Sequence, residues 1–523
     1  MEKFLVKTLA VAVMAAGLSA CGSSSDKVNP QPKNGVIGNT SANPNFIFDQ
    51  TDYVGAVDPE ATNAWWGFAL DGSIPTSAAA VEVTTATDNS FNPVVTFTPN
   101  MNSITAADNC PSGSGSYQVV DAEADVTLDG KTFQKCLLTG TILEDVTLSN
   151  DVVWSLEGRV NVGDGNRKLI STDKAVRDVT LTIEAGTVFH SVSGSSLVVT
   201  RGAKINAVGT EEQPIVMAGE GTNSYDGNGE WGGLVLQGFG YDNNCGDPTV
   251  ETICNIDGEG ASGTFGGFDN ADNSGSLKYV IVTEAGDQLP GSGDELNGIG
   301  FMGVGYGTTL DYIQVHNNYD DGVELWGGAA DLKHLVLTSI QDDSIDWDEG
   351  YVGNIQYALI VQTQNQDNTK KGSYHAFELD TAGDAAESEF QESNPTIANV
   401  TAIASLSAAE TNGGDGIHLK KGSEGQFVNM LFLGDYRNCV YLDDEFLLTS
   451  YATTQDAFVN VYGLCNTAVD IKRDDAGAPA FSESFYDVSI ETATTILTDN
   501  LAYNLSVSAV IESKEVDGTA PAL

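Results

Sequence analysis

Carboxylates gather in one short stretch of the chain. Asp320 and Asp321 precede Gly322-Val323-Glu324-Leu325-Trp326, and 22 residues later Asp342 and Asp343 precede Ser344-Ile345-Asp346-Trp347-Asp348. Glu349, Glu378 and Asp380 follow. In each group one acid stands between two hydrophobes: Glu324 between Val323 and Leu325, Asp346 between Ile345 and Trp347, Glu378 between Phe377 and Leu379. Strand alternation turns the hydrophobes one way and the acid the other. Carboxylates about 5 Å apart repel strongly unless a cation sits between them, and hard oxygen ligands at that density suit Ca²⁺. Asp320, Asp321, Glu324, Asp342, Asp343, Asp346, Asp348 and Glu378 are therefore candidate calcium ligands. The alternative is a solvated acidic stripe. The segment from Asp342 to Glu349 does not have the spacing of an EF-hand loop.

The alternation continues downstream. Ile417 and Leu419 flank His418, Val440 and Leu442 flank Tyr441, and Val469 and Ile471 flank Asp470. If these segments stack in register, Glu324, Asp346, Glu378, His418, Tyr441 and Asp470 form one outward column, with Lys420, Lys421 and Lys472 beside it. Lys420 is the candidate general base of such a site, with His418 or Lys421 as substitutes. A lysine base must be neutral near pH 7, which burial or nearby cations promote, and the acids around Lys420 push the other way. Lys420 and Lys421 read equally as a pair of solvated charges. Paired carboxyls could also hydrolyse glycosides, a geometry that an acidic column can meet by accident. Ser-His-Asp catalysis has no support, because no nucleophile elbow is present and His190, His316, His334 and His375 read as strand or coil positions.

The elements that must position these residues are strands. From about residue 151, short β-rich runs such as Val179–Ile183, Leu197–Thr200, Ile215–Met217, Leu234–Leu236 and Tyr279–Val282 alternate with Gly/Asn/Asp turns. Leu310-Asp311-Tyr312-Ile313-Gln314-Val315 is matched 22 residues on by Leu332-Lys333-His334-Leu335-Val336-Leu337, and 23 further on by Ile355-Gln356-Tyr357-Ala358-Leu359-Ile360. A period near 22 with several short strands per turn implies an all-β fold, a right-handed parallel β-helix of roughly 10 to 13 coils spaced about 4.8 Å apart. Exposed strand edges at its ends require caps. The chain divides into a leader (1–20), a flexible tether (21–45), an N-terminal cap region (46–150), the β-helix (151–475) and a C-terminal cap (476–523).

Two resemblances add to this. Leu181–Val188, Leu197–Thr210 and Glu230-Trp231-Gly232-Gly233-Leu234 resemble a broad, largely uncharacterised group of bacterial surface β-helix lipoproteins, over about residues 150–475. That likeness implies the fold more than a function. Asn317-Asn318-Tyr319-Asp320-Asp321-Gly322-Val323-Glu324-Leu325-Trp326 is similar to the coil that supplies Ca²⁺ ligands in some β-helical pectate lyases. There, Ca²⁺ joins protein carboxylates to a uronate, and a Lys or Arg takes the acidified proton for β-elimination.

Composition narrows the function classes. The chain has 523 residues, 23 Lys and Arg, 73 Asp and Glu, and a formal net charge of −50. Such a body repels nucleic acid and anionic head groups. The 57 glycines fit many tight turns. Beyond Cys21, the cysteines fall as local pairs: Cys110 with Cys136, Cys245 with Cys254, and Cys439 with Cys465. In an exported chain they read as disulfides, and neighbour pairing is one of 15 connectivities that six cysteines allow. No CxxC is present and the five histidines are scattered, which argues against zinc.

Export follows from residues 1–21. Lys3 and Lys7 form a basic start, an apolar run spans Leu9 to Leu18, and Leu18-Ser19-Ala20-Cys21 precedes Gly22 and a Ser run. The motif resembles the lipobox of bacterial lipoproteins, which implies cleavage before Cys21 and acylation of its thiol and amine. Gly22 after it favours the outer membrane, on the cell surface or the periplasmic face. Loss of residues 1–20 removes Glu2, Lys3 and Lys7, one acid and two bases, and leaves a body near −51. The reading that emerges is a lipid-anchored, non-catalytic binding protein. Its expected partners are the membrane through the lipid, and a polysaccharide or an outer-membrane protein complex. A Ca-dependent lyase acting on uronate polymers is the alternative. Replacing Cys21 by Ala should abolish acyl labelling and move the protein from the detergent phase to the aqueous phase; retention in detergent would sink the anchor.

Overall fold

The computed structural model describes residues 43–51, 53–58, 64–70, 73–74, 101–122, 124–221, 225–287, 295–363, 375–381, 391–405, 414–434, 436–443, 457–463, 465 and 467–472. The leader, Cys21, most of the tether and the segment 476–523 lie outside them.

The described chain is strand and turn, with helices of three residues only. Apart from Tyr117–Asp121, the described strands of one 25-stranded sheet pair in parallel, each with its counterpart one coil on. This is a right-handed parallel β-helix, the hand that parallel crossover connections take. A short face is formed by the strands Arg159–Val162, Ser196–Val199, Gly233–Gln237, Ile299–Met302, Val323–Trp326, Ile345–Asp348, Phe377–Leu379, Ile417–Leu419, Asn438–Leu442 and Thr467–Ile471. Ten rungs agree with the coil number that the period implies.

Alternation builds the interior. On the second face Leu277, Leu310, Leu332, Ile355, Ile397, Phe427 and Phe458 pair rung on rung. All are at most 3% exposed and belong to one continuous core with Val323, Leu325, Ile345, Trp347, Phe377 and Leu379 of the short face. From Gly275–Thr283 onward each strand of the second face bends at one residue with positive φ: Tyr279, Tyr312, His334, Tyr357, Asn399, Asn429 and Asn460. Left-handed backbone is unfavourable for most L-residues, and least so for Asn. At the non-Asn corners the rings stack, with centroids 4.5 Å apart for Tyr279 and Tyr312, 4.2 Å for Tyr312 and His334, and 4.9 Å for His334 and Tyr357. Such stacking offsets part of the backbone cost.

The cap region divides into two parts. Tyr117–Asp121 lies antiparallel on Lys135–Ile142 and covers the edge of the first coil, where the disulfide Cys110–Cys136 pins it. Lys135–Ile142 itself already pairs in parallel with the strands Val153–Leu156 and Arg159–Val162, so coiling starts ahead of residue 151. The described residues between 43 and 74 (43–51, 53–58, 64–70 and 73–74) run along the flank and not across the end. Leu70 N–H donates to Gln314 Oε1 at 2.8 Å, Asp49 N–H to Gln356 Oε1 at 2.9 Å and Ala56 N–H to Thr401 Oγ1 at 2.9 Å. Trp65, Trp66 and Phe68 cover the ring stack. The other expected disulfides, Cys245–Cys254 and Cys439–Cys465, are formed as well.

Trp347 is 0% exposed, and its indole N–H donates to Ser423 Oγ at 2.9 Å. Trp347→Ala should cost about 3–5 kcal/mol in a denaturant titration, while Val250→Ala, at a site 70% exposed, should stay within about 0.5 kcal/mol.

Candidate metal centre

In-register pairing carries the short face outward as columns of side chains. The central column reads Gly300, Glu324, Asp346, Glu378, His418, Tyr441, Asp470. A second column stands three residues earlier, at the turn into each strand: Asn297, Asp321, Asp343, His375, Asp415, Asn438. These residues are all 8% exposed or less. Each caps the next coil. Asn297 Oδ1 accepts from Asp321 N–H at 3.2 Å, Asp321 Oδ1 from Asp343 N–H at 2.9 Å, and Asp343 Oδ1 from His375 N–H at 2.7 Å. His375 Nδ1 then accepts from Asp415 N–H at 2.8 Å, and Asp415 Oδ1 from Asn438 Nδ2 at 2.7 Å. Neutral His375 therefore carries its proton on Nε2. Residues two positions after the centre form a third column: Trp326, Asp348, Asp380, Lys420, Asp443, Lys472.

The capping ladder uses one oxygen of Asp321 and one of Asp343, a task that Asn297 performs uncharged. The rest of the carboxyl chemistry converges. Oxygens within 4.8 Å of one another group Asp320 with Asp321 and Asp342, Asp321 with Glu324 and Asp346, and Asp343 with Asp346 and Glu378. Asp346 Oδ1 is buried and accepts no hydrogen bond. Burial, reinforced by the neighbouring acids, pushes Asp321, Glu324, Asp343 and Asp346 well above the ordinary carboxylate range. Four such groups in contact cannot all ionise without a cation. A hard divalent ion, taking six to eight oxygens at about 2.3–2.6 Å, fits the donor set. Of the eight candidate ligands these groups unite seven; Asp348 lies apart, in the third column.

Downstream the same columns change sign. Lys420 Nζ lies 2.5 Å from Glu378 Oε2 and 3.5 Å from Asp380 Oδ2, and Lys421 lies 3.4 Å from Asp380. Burial alone would lower Lys420, but Glu378 and Asp380 carry it far above the usual lysine value. Burial would raise Glu378, yet the His418 and Lys420 contacts hold it at about 2. His418 Nδ1 faces His375 Nε2 at 3.1 Å and Glu378 Oε1 at 3.4 Å, while its Nε2 faces Asp443 at 3.8 Å. His375, Asp415 and His418 form a further group of metal-type ligands, but Asp415 is already bound by Arg437 at 2.5 Å.

Three participants escaped the sequence reading. Asp415 and His375 occupy the position two before the first flanking hydrophobe, as Asp321 and Asp343 do, so spacing could have found them. Glu259 could not be found that way. It comes from the insertion after Gly233–Gln237, and Asn297 Nδ2 donates to it at 2.8 Å and to Glu324 at 2.5 Å.

A family model described as a pectate-lyase-like beta helix domain matches residues 140–504. Comparison with curated proteins and with solved structures returned no match.

A carboxyl whose folded pKa is raised takes up its proton in the folded state first, so it favours folding at low pH and loses that contribution as pH rises through the raised value. The cation-free protein should therefore melt at a lower temperature at about pH 7.5 than at about pH 5, and calcium should restore the loss at the higher pH. A midpoint that rises between those pH values in EDTA would contradict the buried acids.

Proposed function

The chain belongs to the family of pectate-lyase-like β-helix domains, and from that premise we propose that it is an exported, lipid-anchored binding protein whose acidic column, loaded with calcium, engages carboxylate-bearing polysaccharide without cleaving it. The observation that carries the non-catalytic reading is the state of Lys420. A base for β-elimination must give up its proton near neutral pH, and Glu378 and Asp380 clamp this ammonium in its charged form. His418 offers no substitute, since both of its ring nitrogens are enclosed by His375, Glu378 and Asp443.

The cation has a second task in this reading. A body of net charge −50 repels a polyuronate. Calcium held by Asp321, Glu324, Asp343, Asp346 and Glu378 reverses the local field and leaves coordination positions for sugar carboxylates. Strands repeat about every 4.8 Å along the column, close to the rise of an extended sugar chain, and Tyr441 adds an aromatic surface further along. The lipid on Cys21 fixes location at the outer membrane, and the tether lets the body stand off from it. Among the described residues no helix is long and apolar enough to cross a membrane. An outer-membrane protein complex is the second partner class that this anchoring suits.

Calorimetry with the full chain tests the proposal. Polygalacturonate or alginate should bind in calcium and release in EDTA, with no growth of the unsaturated-uronate absorbance over hours. Asp346→Asn should weaken calcium binding at least about tenfold. Growth of that absorbance would make the protein a lyase. Binding of neither calcium nor polymer would leave a solvated acidic stripe.

A further inference from the structure

The described residues between 43 and 74 form a strap that the coils hold by its backbone. Gln356 Oε1 accepts Asp49 N–H at 2.9 Å, and its Nε2 donates to Asp49 O at 2.8 Å. Thr401 Oγ1 accepts Ala56 N–H at 2.9 Å, and Gln314 Oε1 accepts Leu70 N–H at 2.8 Å. Asn399 Nδ2 donates to Gly55 O at 3.2 Å, and Gly55 N–H to Asn429 O at 2.9 Å. Lys333 Nζ donates to Ile47 O at 3.2 Å.

These bonds fall on five successive long strands: Thr309–His316, Leu332–Thr338, Asn354–Thr363, Thr396–Ser405 and Gln426–Gly434. The short strands that follow them carry Glu324, Asp346, Glu378, His418 and Tyr441 in that order. The strap therefore ties the same five coils that build the acidic column and its downstream counter-charges. It grips them at the left-handed corner, with the core residues Leu310, Ile313, Val323 and Leu325 packed between it and the short face.

Two forces meet in this arrangement. Like charges one rung apart drive neighbouring coils of the short face apart. A close-packed interior yields little and passes strain on, so a displacement at the short face is carried to the corner. The strap fixes the corner, because its chain crosses five rungs. A cation between the carboxylates removes the force at its source. We propose that strap docking and cation binding are coupled: the strap keeps the column at the spacing that a calcium-class ion needs, and the filled column holds the strap down. This coupling rests on the calcium reading of the column and gives it a control, since whatever lifts the strap loosens the ion.

The strap can be lifted without touching the short face. Gly55 has φ +89°, and an added Cβ would lie 2.5 Å from Thr401 Oγ1, so Gly55→Ala dislodges it. Hydrogen exchange and calcium titration of the full chain test the coupling. In the unaltered protein, saturating CaCl₂ should slow exchange about tenfold in the strap as well as in 320–348, relative to EDTA. By reciprocity, Gly55→Ala should weaken calcium binding by about the same factor. Unchanged exchange in Ser196–Val199 and Gly233–Gln237 shows that this variant is folded; should those strands loosen, Thr401→Val, which removes one acceptor of the strap, is held to the same outcome. Asp346→Asn should abolish the slowing of the strap at the same calcium concentration. Slowing in 320–348 without slowing in the strap, or unchanged calcium affinity in the folded strap variant, would overturn the coupling and leave the calcium reading intact. Slowing in neither region would remove the calcium reading, and the coupling with it.

Discussion

In-register parallel stacking is the constraint on which the whole molecule depends. Each coil lies about 4.8 Å from the next with its residues in the same order, so every position meets its own equivalent above and below. Like is placed on like. Inside, this is favourable: Leu277, Leu310, Leu332 and Ile355 form a continuous apolar row whose burial drives the fold. At the left-handed corner it is what makes the strained backbone tolerable, because Tyr279, Tyr312, His334 and Tyr357 stack face to face. Neither contact exists within a single coil.

On the short face the same rule produces a conflict. Glu324, Asp346 and Glu378 are held one rung apart, with Asp321 and Asp343 beside them in the capping ladder. The column meets its own repulsion in two ways. Toward the C-terminal coils, Lys420 and Lys421 pair with Glu378 and Asp380, and Lys472 pairs with Asp443. Toward the N-terminal coils no Lys or Arg side chain pairs with Asp321, Glu324, Asp343 or Asp346 among the described residues, and burial with the neighbouring acids raises their affinity for protons. The chemistry of the face is thus graded along its axis, from a field that needs a cation to one that supplies its own. Lys420 sits at the boundary, and there its charge is used for neutralisation and is lost to proton transfer.

Segments outside the repeat adjust what the repeat alone leaves incomplete. Backbone N–H groups of Asp49, Ala56 and Leu70 donate to Gln356 Oε1, Thr401 Oγ1 and Gln314 Oε1 on an aromatic flank, and so give these oxygens their partners. The insertion pinned by Arg201 and Cys245–Cys254 adds Glu259 to the edge of the acidic face. Both segments touch coils distant in sequence, and so act across several rungs at once.

The 22-residue spacing and the hydrophobe–acid–hydrophobe triplets were sufficient to determine the parallel β-helix and the order of the outward column, and the structure selected neighbour pairing from the 15 connectivities that six cysteines allow. That spacing and those triplets are local or periodic, and a solenoid repeats its local pattern in space. The tertiary structure alone decided the rest. It made Lys420 a clamped cation, because the rotation that brings it onto Glu378 and Asp380 depends on stacking and not on sequence distance. It laid the described residues between 43 and 74 along the flank, where the segment 46–150 had been expected at the end of the stack, because the aromatic stack and the side-chain oxygens of Gln314, Gln356 and Thr401 offered them contacts there. It recruited Glu259 from an insertion with no period. Periodic residues reveal their neighbours in the sequence, whereas residues from insertions find theirs only when the chain has folded.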